Sequence, residues 1–326
     1  MFNTKKKLFA LMALMVGFFP LGAMAESPYP NRPLRMVIPW PPGQATDLVG
    51  RVIAMKLTQL LGVQVVADNR AGAGGMIGTD IVAKAAPDGY TLLAASSGPV
   101  TINPLFQKVP YNAERDLSPV ANAGISPYLL TTMPTFPVKD IQELIALLKA
   151  NPGKYSYASS GTGATGHLVV EYFNNSLGIK GTHVPYKGAI PALTDVMSGQ
   201  VVYITETVAA SMPFVRSGKL RAFGISLDRP SSLAPGIPPI SIAANLPGFN
   251  AAAWIGVMVS AGTPKPLVNK LTAAVDRALK LPEVLDRLNA VGLEPDYQNA
   301  VQMAQLLKDQ TKRFSQIIQQ SHIKID

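Results

Sequence analysis

Two loops of small polar residues have the composition of anion-binding sites. The first reads Pro-Pro-Gly-Gln-Ala-Thr-Asp over residues 41–47, and the second reads Ala-Ser-Ser-Gly-Thr-Gly-Ala-Thr-Gly-His over residues 158–167. Each lies between a predicted strand and a predicted helix. A helix that begins at such a loop leaves unpaired N–H groups and the positive end of its dipole there. The loops are therefore predicted to hold a carboxylate or a phosphate without an arginine, although ordinary strand-to-helix turns share this composition.

The second loop also matches the pattern G-x-G-x-x-G through Gly161, Gly163 and Gly166. A dinucleotide site is not predicted, because the pattern lies in mid-chain and no acidic residue follows about 20 residues later. Hydroxyl and glycine positions in a row instead let backbone and side-chain donors converge on one acceptor. We therefore expect an anion-binding turn and no cofactor.

The sequence lacks most of the groups that catalysis would need. It has no cysteine, no G-x-S-x-G motif and no H-E-x-x-H motif. His322 lies near the C-terminus, His183 is expected to be packed or exposed, and His167 is expected to hydrogen-bond the second loop. Metal ligands are not clustered, so no metal site is predicted. An enzymatic function stays an alternative to anion binding. In a periplasmic α/β hydrolase, the second loop would form an oxyanion site, and His167 would act as the base beside Ser159 or Ser160.

The N-terminal residues predict export. Three lysines at residues 5–7 precede an apolar run over residues 8–19, and Ala23-Met24-Ala25 follows. This layout predicts a secretory signal over residues 1–25, cleaved before Glu26. The apolar run is shorter than the roughly 20 residues of a spanning helix, and a chain without cysteine suits an oxidising compartment. We expect the mature protein in the periplasm.

The charge distribution gives no indication of nucleic-acid binding. Without Lys5, Lys6 and Lys7, the 29 Lys and Arg residues fall to 26 against 20 Asp and Glu, which leaves a net charge of +6. The excess is spread along the chain, whereas a nucleic-acid site needs a basic stripe. The positive balance favours anionic ligands only weakly, by long-range attraction.

Apolar runs and helical patterns alternate along the mature chain, which predicts parallel sheets covered by helices. A first series of strands and helices ends near residue 95, and a second begins after Pro127. About 300 residues suffice for two hydrophobic cores, so two lobes are expected. The predicted strands cover residues 34–38, 63–67, 90–95, 155–159, 182–185, 201–205, 220–225 and 254–259. The predicted helices cover residues 48–61, 78–86, 140–150, 163–177 and 192–197, with a purely helical tail over 266–321.

Six motifs follow one another in the order of a known family. They are Tyr29-Pro30, Pro42-Gly43 with Ala45-Thr46-Asp47, and the segments 68–75, 83–92, 157–163 and 183–188. With these motifs, the chain resembles the tripartite tricarboxylate transporter substrate-binding proteins, which are Bug-type periplasmic receptors. The resemblance extends over almost the whole mature chain.

The resemblance implies a two-lobe α/β fold of the periplasmic binding protein class, type II, with a Venus-flytrap cleft and a mostly parallel sheet in each lobe. It places residues 26–127 and 249–326 in the first lobe and residues 128–248 in the second. A small carboxylate would be captured between the lobes and handed to a two-component membrane permease by a monomeric receptor. A sensing role, with a sensor kinase ectodomain as partner, is the alternative among binding proteins.

The resemblance also implies a set of ligand-binding residues. The first lobe would contribute Gly43, Gln44, Ala45, Thr46, Asp47, Ser96 and Ser97. The second lobe would contribute Ser159, Ser160, Gly161, Thr162, Gly163 and Thr165. The far end of the ligand would meet Tyr186, Lys187, Gly188, Thr205, Glu206 and Thr207.

Several features of this site stay open at the sequence level. Gln44 stands where the family usually has a second glycine, so a positive φ would be uncomfortable there and a long amide could enter the cleft. Lys187 either supports a dianion or is solvated. Trp40 and Tyr186 either stack on an aromatic acid or pack the cleft walls, so aliphatic and aromatic carboxylates both fit.

Overall fold

The computed structural model describes residues 29–105 and 107–321, so the predicted signal sequence and His322 lie outside the described residues. The strands are β1 (Leu34–Ile38), β2 (Val65–Asn69), β3 (Thr91–Ser96), β4 (Leu117–Ser126), β5 (Tyr128–Thr132), β6 (Ser156–Ser159), β7 (Thr182–Pro185), β8 (Tyr203–Thr207), β9 (Arg221–Ile225), β10 (Ala253–Ser260) and β11 (Glu294–Asn299). The helices are α1 (Ala45–Leu61), α2 (Met76–Ala83), α3 (Ala113–Asp116), α4 (Ile141–Ala150), α5 (Thr165–Leu177), α6 (Ala189–Ser198), α7 (Val208–Arg216), α8 (Ile240–Ala243), α9 (Lys265–Leu279), α10 (Pro282–Ala290) and α11 (Ala300–Ser321).

The first lobe is built on a six-stranded sheet with the order β11-β4-β10-β3-β1-β2. Its core lies on both faces of the sheet, because β1 and β3 are apolar at successive positions and helices cover each face. Val49, Ile53 and Leu57 of α1 pack with Leu271 and Val275 of α9 on one face. This packing fixes the orientation of α1 relative to the end of β1.

The second lobe is built on a five-stranded sheet with the order β7-β6-β8-β5-β9. Leu144 and Leu148 of α4 and Phe173 of α5 pack with Tyr157 and Tyr203 from β6 and β8. The amphipathic face of α4 agrees with the predicted helix over residues 140–150, and Asp140 caps its first turn by accepting a hydrogen bond from the N–H of Glu143.

The predicted two-lobe α/β architecture is confirmed, and each sheet combines parallel strands with antiparallel ones. In the first sheet β1, β2 and β3 are parallel, whereas β10 runs antiparallel to β3 and β4, and β11 runs antiparallel to β4. In the second sheet β6 is parallel to β7 and β8, whereas β5 is antiparallel to β8 and β9. The strands that run against the β–α series are β10 and β11 in the first sheet and β5 in the second.

The chain crosses between the sheets at Pro127, which separates β4 from β5, and returns after β9 to enter β10. The stretch over residues 230–247, predicted as loop, contains the short helix α8. The lobe limits at residues 127/128 and 248/249 stay a prediction.

The expectation of a purely helical tail is wrong. Strand β11 pairs with β4 and forms an edge of the first sheet, between α10 and α11. Its sequence, Glu-Pro-Asp-Tyr-Gln-Asn, is polar and contains proline, which is acceptable at a sheet edge but gives no apolar alternation. Within the described ranges, each helix is too short or too polar to cross a membrane.

Glycine is required at both ends of α5 for two different reasons. A Cβ added to Gly166 in the first turn would lie 2.6 Å from the carbonyl oxygen of Thr205, so space is the constraint. Gly178 at the C-terminal end has open space around it but a φ of +69°, so backbone conformation is the constraint there.

We predict that Gly166→Ala lowers the free energy of unfolding by about 1–3 kcal/mol through overpacking, and Gly178→Ala by about 1–2 kcal/mol through strain. Asparagine tolerates a positive φ. Gly178→Asn should therefore be more stable than Gly178→Ala, whereas Gly166→Asn should be no better than Gly166→Ala. Urea unfolding of the four variants checks this, and a rescue of position 166 by asparagine would contradict the steric explanation.

Candidate functional site

A narrow cavity lies where the two lobes meet. About 20 Å³ of it is open to the centre of a water molecule, which is little more than the space that one water needs. Among the described residues that line it, none is a lysine or an arginine. The lining residues are Trp40, Gln44, Ala45, Thr46, Ser96, Ser126, Tyr128, Ser160, Ala164, Thr165, Glu206, Thr207, Ala253 and Ile255.

The start of α1 points its first turn at this cavity. The helix begins at Ala45 after Gln44, which is extended and provides no side-chain cap. The first intrahelical bond at this end runs from the N–H of Leu48 to the carbonyl of Gln44, at 3.0 Å. The N–H groups of the preceding first-turn residues therefore have no helical partner and are available to an anion.

The start of α5 repeats this arrangement on the other side of the cavity. The helix begins at Thr165 after Ala164, again without a side-chain cap, and its first intrahelical bond runs from the N–H of Leu168 to Ala164, at 3.3 Å. The cavity is thus bounded by two uncapped helix N-termini, one from each lobe, whose dipoles favour negative charge between them.

In each loop a side chain of the third helical residue binds the N–H of a glycine four residues earlier. The carboxylate of Asp47 accepts from Gly43 at 3.0 Å, and the Nδ1 atom of His167 accepts from Gly163 at 3.3 Å. Both glycines have a positive φ, of +87° and +77°, which lets the chain turn sharply enough for the contact. The two loops therefore have the same hydrogen-bonding arrangement, in which a carboxylate accepts from the glycine N–H in one lobe and an imidazole does so in the other.

Asp47 has an organising role and does not line the cavity. Besides Gly43, its carboxylate accepts hydrogen bonds from Arg51 and from Asn69, each at 2.8 Å. Its side chain is 2% exposed, so its charge is held by these partners. In this structure the N–H of Gly43 is engaged by Asp47, so both residues organise the first loop.

Gln44 does not suffer the predicted backbone strain. Its φ is −78°, which is an ordinary value for any residue, so that expectation is wrong. Its side chain lines the cavity, which agrees with the prediction that a long amide could enter the cleft. Its Nε2 atom is buried and has no partner among the described residues. The glutamine therefore adds a donor to the cavity.

The two described histidines support the second loop as a stacked pair. The rings of His167 and His183 lie 3.8 Å apart at 9°, and the Nε2 atom of His183 lies 2.7 Å from the hydroxyl of Ser159, which also accepts from the N–H of Gly161. Burial lowers the pKa of His167 to about 3, with a further contribution from His183, and burial lowers the pKa of His183 to about 4. Both rings are neutral near pH 7, and the prediction that His167 hydrogen-bonds the loop is confirmed.

The cavity brings together eight of the residues predicted from the sequence. They are Gln44, Ala45, Thr46, Ser96, Ser160, Thr165, Glu206 and Thr207. Of the others, Gly43, Asp47, Ser159, Gly161 and Gly163 shape the loops, as described above. Their contact with a ligand stays a prediction.

The remaining predicted residues do not line the cavity. Ser97 accepts from the N–H of Trp254 at 2.8 Å, and Thr205 donates to the carbonyl of Gly166 at 2.7 Å, so both tie elements together. The hydroxyl of Tyr186 donates to Asp195 at 2.5 Å, and Lys187 is exposed. Thr162 and Gly188 are also outside the lining.

The polar lining residues that were not predicted are Ser126 and Tyr128. They belong to β4 and β5, which the sequence analysis did not recognise as strands. The proline between them, at the crossing from one sheet to the other, is the signal that could have located them. Trp40 was predicted either to stack on an aromatic acid or to pack in the cleft wall. Its indole N–H donates to Ser96 at 2.9 Å, and this bond fixes the ring in the wall of the cavity.

In the described part of the chain, no three His, Asp or Glu side chains come together as a metal site would require. The polar groups at the cavity are amides, hydroxyls and one carboxylate. Their arrangement can bind and orient a small anion.

We predict that Asp47→Ala lowers the free energy of unfolding by about 2 kcal/mol, because Gly43, Arg51 and Asn69 lose the buried carboxylate that accepts their hydrogen bonds. The matched control is Asp80→Ala in α2, which removes another i,i+4 ion pair, to the exposed Lys84. Such surface pairs contribute about 0.5 kcal/mol. Urea unfolding at pH 7 measures both variants, and equal losses would contradict the organising role of Asp47.

We also predict an acid-sensitive contribution from His167. Because its folded pKa lies below the usual value near 6.5, the unfolded chain binds a proton first as the pH falls, and stability decreases from about pH 6.5 downwards. This group alone should lower the free energy of unfolding by about 1–2 kcal/mol between pH 7 and pH 5. His167→Asn keeps an acceptor for Gly163 but does not titrate, so its unfolding curves should change less over this range. An unaltered pH dependence would refute the prediction.

Comparison with known proteins agrees with this geometry. A family model described as the tripartite tricarboxylate transporter family receptor matches residues 49–323. Protein BugT of Bordetella pertussis is 34% identical over 322 residues, 98% of each chain. Rpa4515 of R. palustris, solved with adipate, superposes with a TM-score of 0.87 at 30% identity, over 91% of this chain and 99% of that one. MatC (Rpa3494) from Rhodopseudomonas palustris, solved with bound malate, gives a TM-score of 0.82 at 32% identity, over 89% and 100%.

The family model begins just after the first loop, whereas the match to BugT extends over almost the whole chain. A receptor of this kind binds a solute and does not transform it, so the protein is not an enzyme. By its sequence and its fold, the chain belongs to the tripartite tricarboxylate transporter receptor family, the Bug-type periplasmic solute-binding proteins.

Proposed function

We propose that the protein captures a small carboxylate in the cavity between its lobes and delivers it to a two-component membrane permease. The observation that carries this proposal is the pair of uncapped helix starts, α1 and α5, on opposite sides of one cavity. The family description, a receptor of a tripartite transporter, supports the permease as partner. The carboxylates adipate and malate in two related structures support the ligand class.

Neutral donors can hold a carboxylate here because the helices point at it from both sides. Each helix N-terminus stabilises an anion by about 0.3–1 kcal/mol when exposed, and by up to about 2 kcal/mol when partly buried. Hydroxyls of Thr46 and Ser160 line the same cavity, and hydrogen bonds to a charged group contribute more than those between neutral groups. A dedicated cation is therefore unnecessary.

The cavity is too narrow to admit a ligand directly, so the lobes must separate before capture. A ligand that bridges both helix starts interacts with both lobes only in the closed arrangement, and this difference in affinity drives closure. The closed form is then the one that the permease recognises. Export to the periplasm, by the signal predicted over residues 1–25, would place a monomeric receptor beside that membrane partner.

We predict that Thr46→Ala and Ser160→Ala each weaken carboxylate binding by about tenfold, and that the double variant loses about a hundredfold, because each hydroxyl donates to the charged group from a different lobe. A thermal-shift screen against mono-, di- and tricarboxylates identifies a ligand, and calorimetry measures its affinity for the four proteins. Undiminished affinity in the double variant would contradict the site. Failure of all the carboxylates to bind would contradict the function.

A further inference from the structure

We propose that the cavity selects carboxylates that also carry a hydrogen-bond donor, such as an amide, hydroxyl or ammonium group, and that Glu206 accepts this donor. The inference rests on the proposed function and specifies its substrate class. It starts from a buried carboxylate at a site that is otherwise built for anions.

Glu206 is 2% exposed and lies at the end of β8, where it lines the cavity. Its Oε1 atom accepts from the N–H of Thr207 at 2.8 Å. The hydroxyls of Ser160 and Thr207 lie close to this carboxylate, but its Oε2 atom is buried and has no hydrogen-bond partner among the described residues. One acceptor of this carboxylate is therefore left for a group that enters the cavity.

The cavity lining combines hydrogen-bond donors with one carboxylate acceptor. The first turns of α1 and α5, which contain Thr46 and Thr165, present donors to the carboxylate of a ligand, and so does the unpaired amide of Gln44. Glu206 presents an acceptor, and no described cationic side chain lines the cavity to neutralise it. The complementary ligand therefore carries both an anionic group and a hydrogen-bond donor.

A ligand without a donor would be penalised in the closed cavity. It would leave the Oε2 atom buried and unpaired, and a polar site of this kind rejects analogues that lack the matching group. A second carboxylate at this position would bring two like charges together in a desolvated space. Plain dicarboxylates should therefore bind less well than their amide or ammonium counterparts.

Protonation of Glu206 is the competing arrangement. Burial raises the pKa of Glu206, while the N–H of Thr207 and the hydroxyls of Ser160 and Thr207 lower it. A protonated side chain would donate to a second ligand carboxylate and reverse the preference. The variant Glu206→Gln imitates this form, since its amide can still accept from Thr207 and presents an N–H donor to the cavity.

The test compares ligands of matched length by calorimetry at pH 7.5. In the natural protein, succinamate and 4-aminobutyrate should bind at least about tenfold more tightly than succinate and butyrate, respectively. In Glu206→Gln this preference should disappear, and succinate should bind at least as well as succinamate. The control Glu171→Gln changes another partly buried glutamate, which pairs with Tyr157 and Asn175 and does not line the cavity. It should keep the natural preference, and thermal unfolding verifies that each variant is folded.

The outcomes separate this inference from the function on which it rests. Binding of succinate as tight as that of succinamate, still weakened in the Thr46→Ala Ser160→Ala variant, would overturn the donor preference and leave carboxylate capture intact. A preference that Glu206→Gln does not alter would overturn the role of Glu206. Absence of binding by every carboxylate would overturn both proposals.

Discussion

The unpaired N–H groups at the starts of α1 and α5 are the constraint on which the rest of this structure depends. A helix cannot satisfy the N–H groups of its own first turn, and side-chain caps would ordinarily do so. Here neither of the two N-cap residues, Gln44 and Ala164, provides a side-chain cap. The donors of both lobes are thereby kept for a partner from outside the chain.

The two loops have to be held in place without using the first-turn N–H groups. Hydrogen bonds donated by their glycines hold them. Asp47 and His167 each reach back from the third helical position to a glycine N–H that lies outside the helix. The arrangement resembles a capping box, but it is shifted one residue earlier, so the first-turn N–H groups stay free. The negative charge of Asp47 is offset by Arg51, and the neutral imidazole of His167 adds no charge. The positive ends of both helices are therefore preserved.

Sequence reasoning located the loops, the two lobes and most of the strands and helices, because strand-to-helix turns and apolar periodicity are local properties. It placed the start of α1 at residue 48 and not at Ala45, since the polar residues of the first turn carry no apolar periodicity and their function depends on contacts such as that between Asp47 and Gly43. The strands β4 and β5 were missed because they contain Ser, Pro, Asn, Gly and Thr, yet they are buried between neighbours that only the fold supplies. Ser126 and Tyr128 were missed with them. The free Oε2 atom of Glu206 is likewise a property of the assembled cavity.

In the proposed mechanism, the same unpaired donors would couple ligand binding to closure. In an open receptor, water satisfies the first-turn N–H groups, and closure without a ligand would bury several of them in a cavity that holds little more than one water. Each buried and unsatisfied polar group costs about 1–3 kcal/mol, so the empty closed state is disfavoured by several such contributions. A carboxylate that bridges both helix starts removes this cost from both lobes at once. On this proposal the shape of the receptor would report occupancy, because the groups that recognise the solute would also oppose closure in its absence.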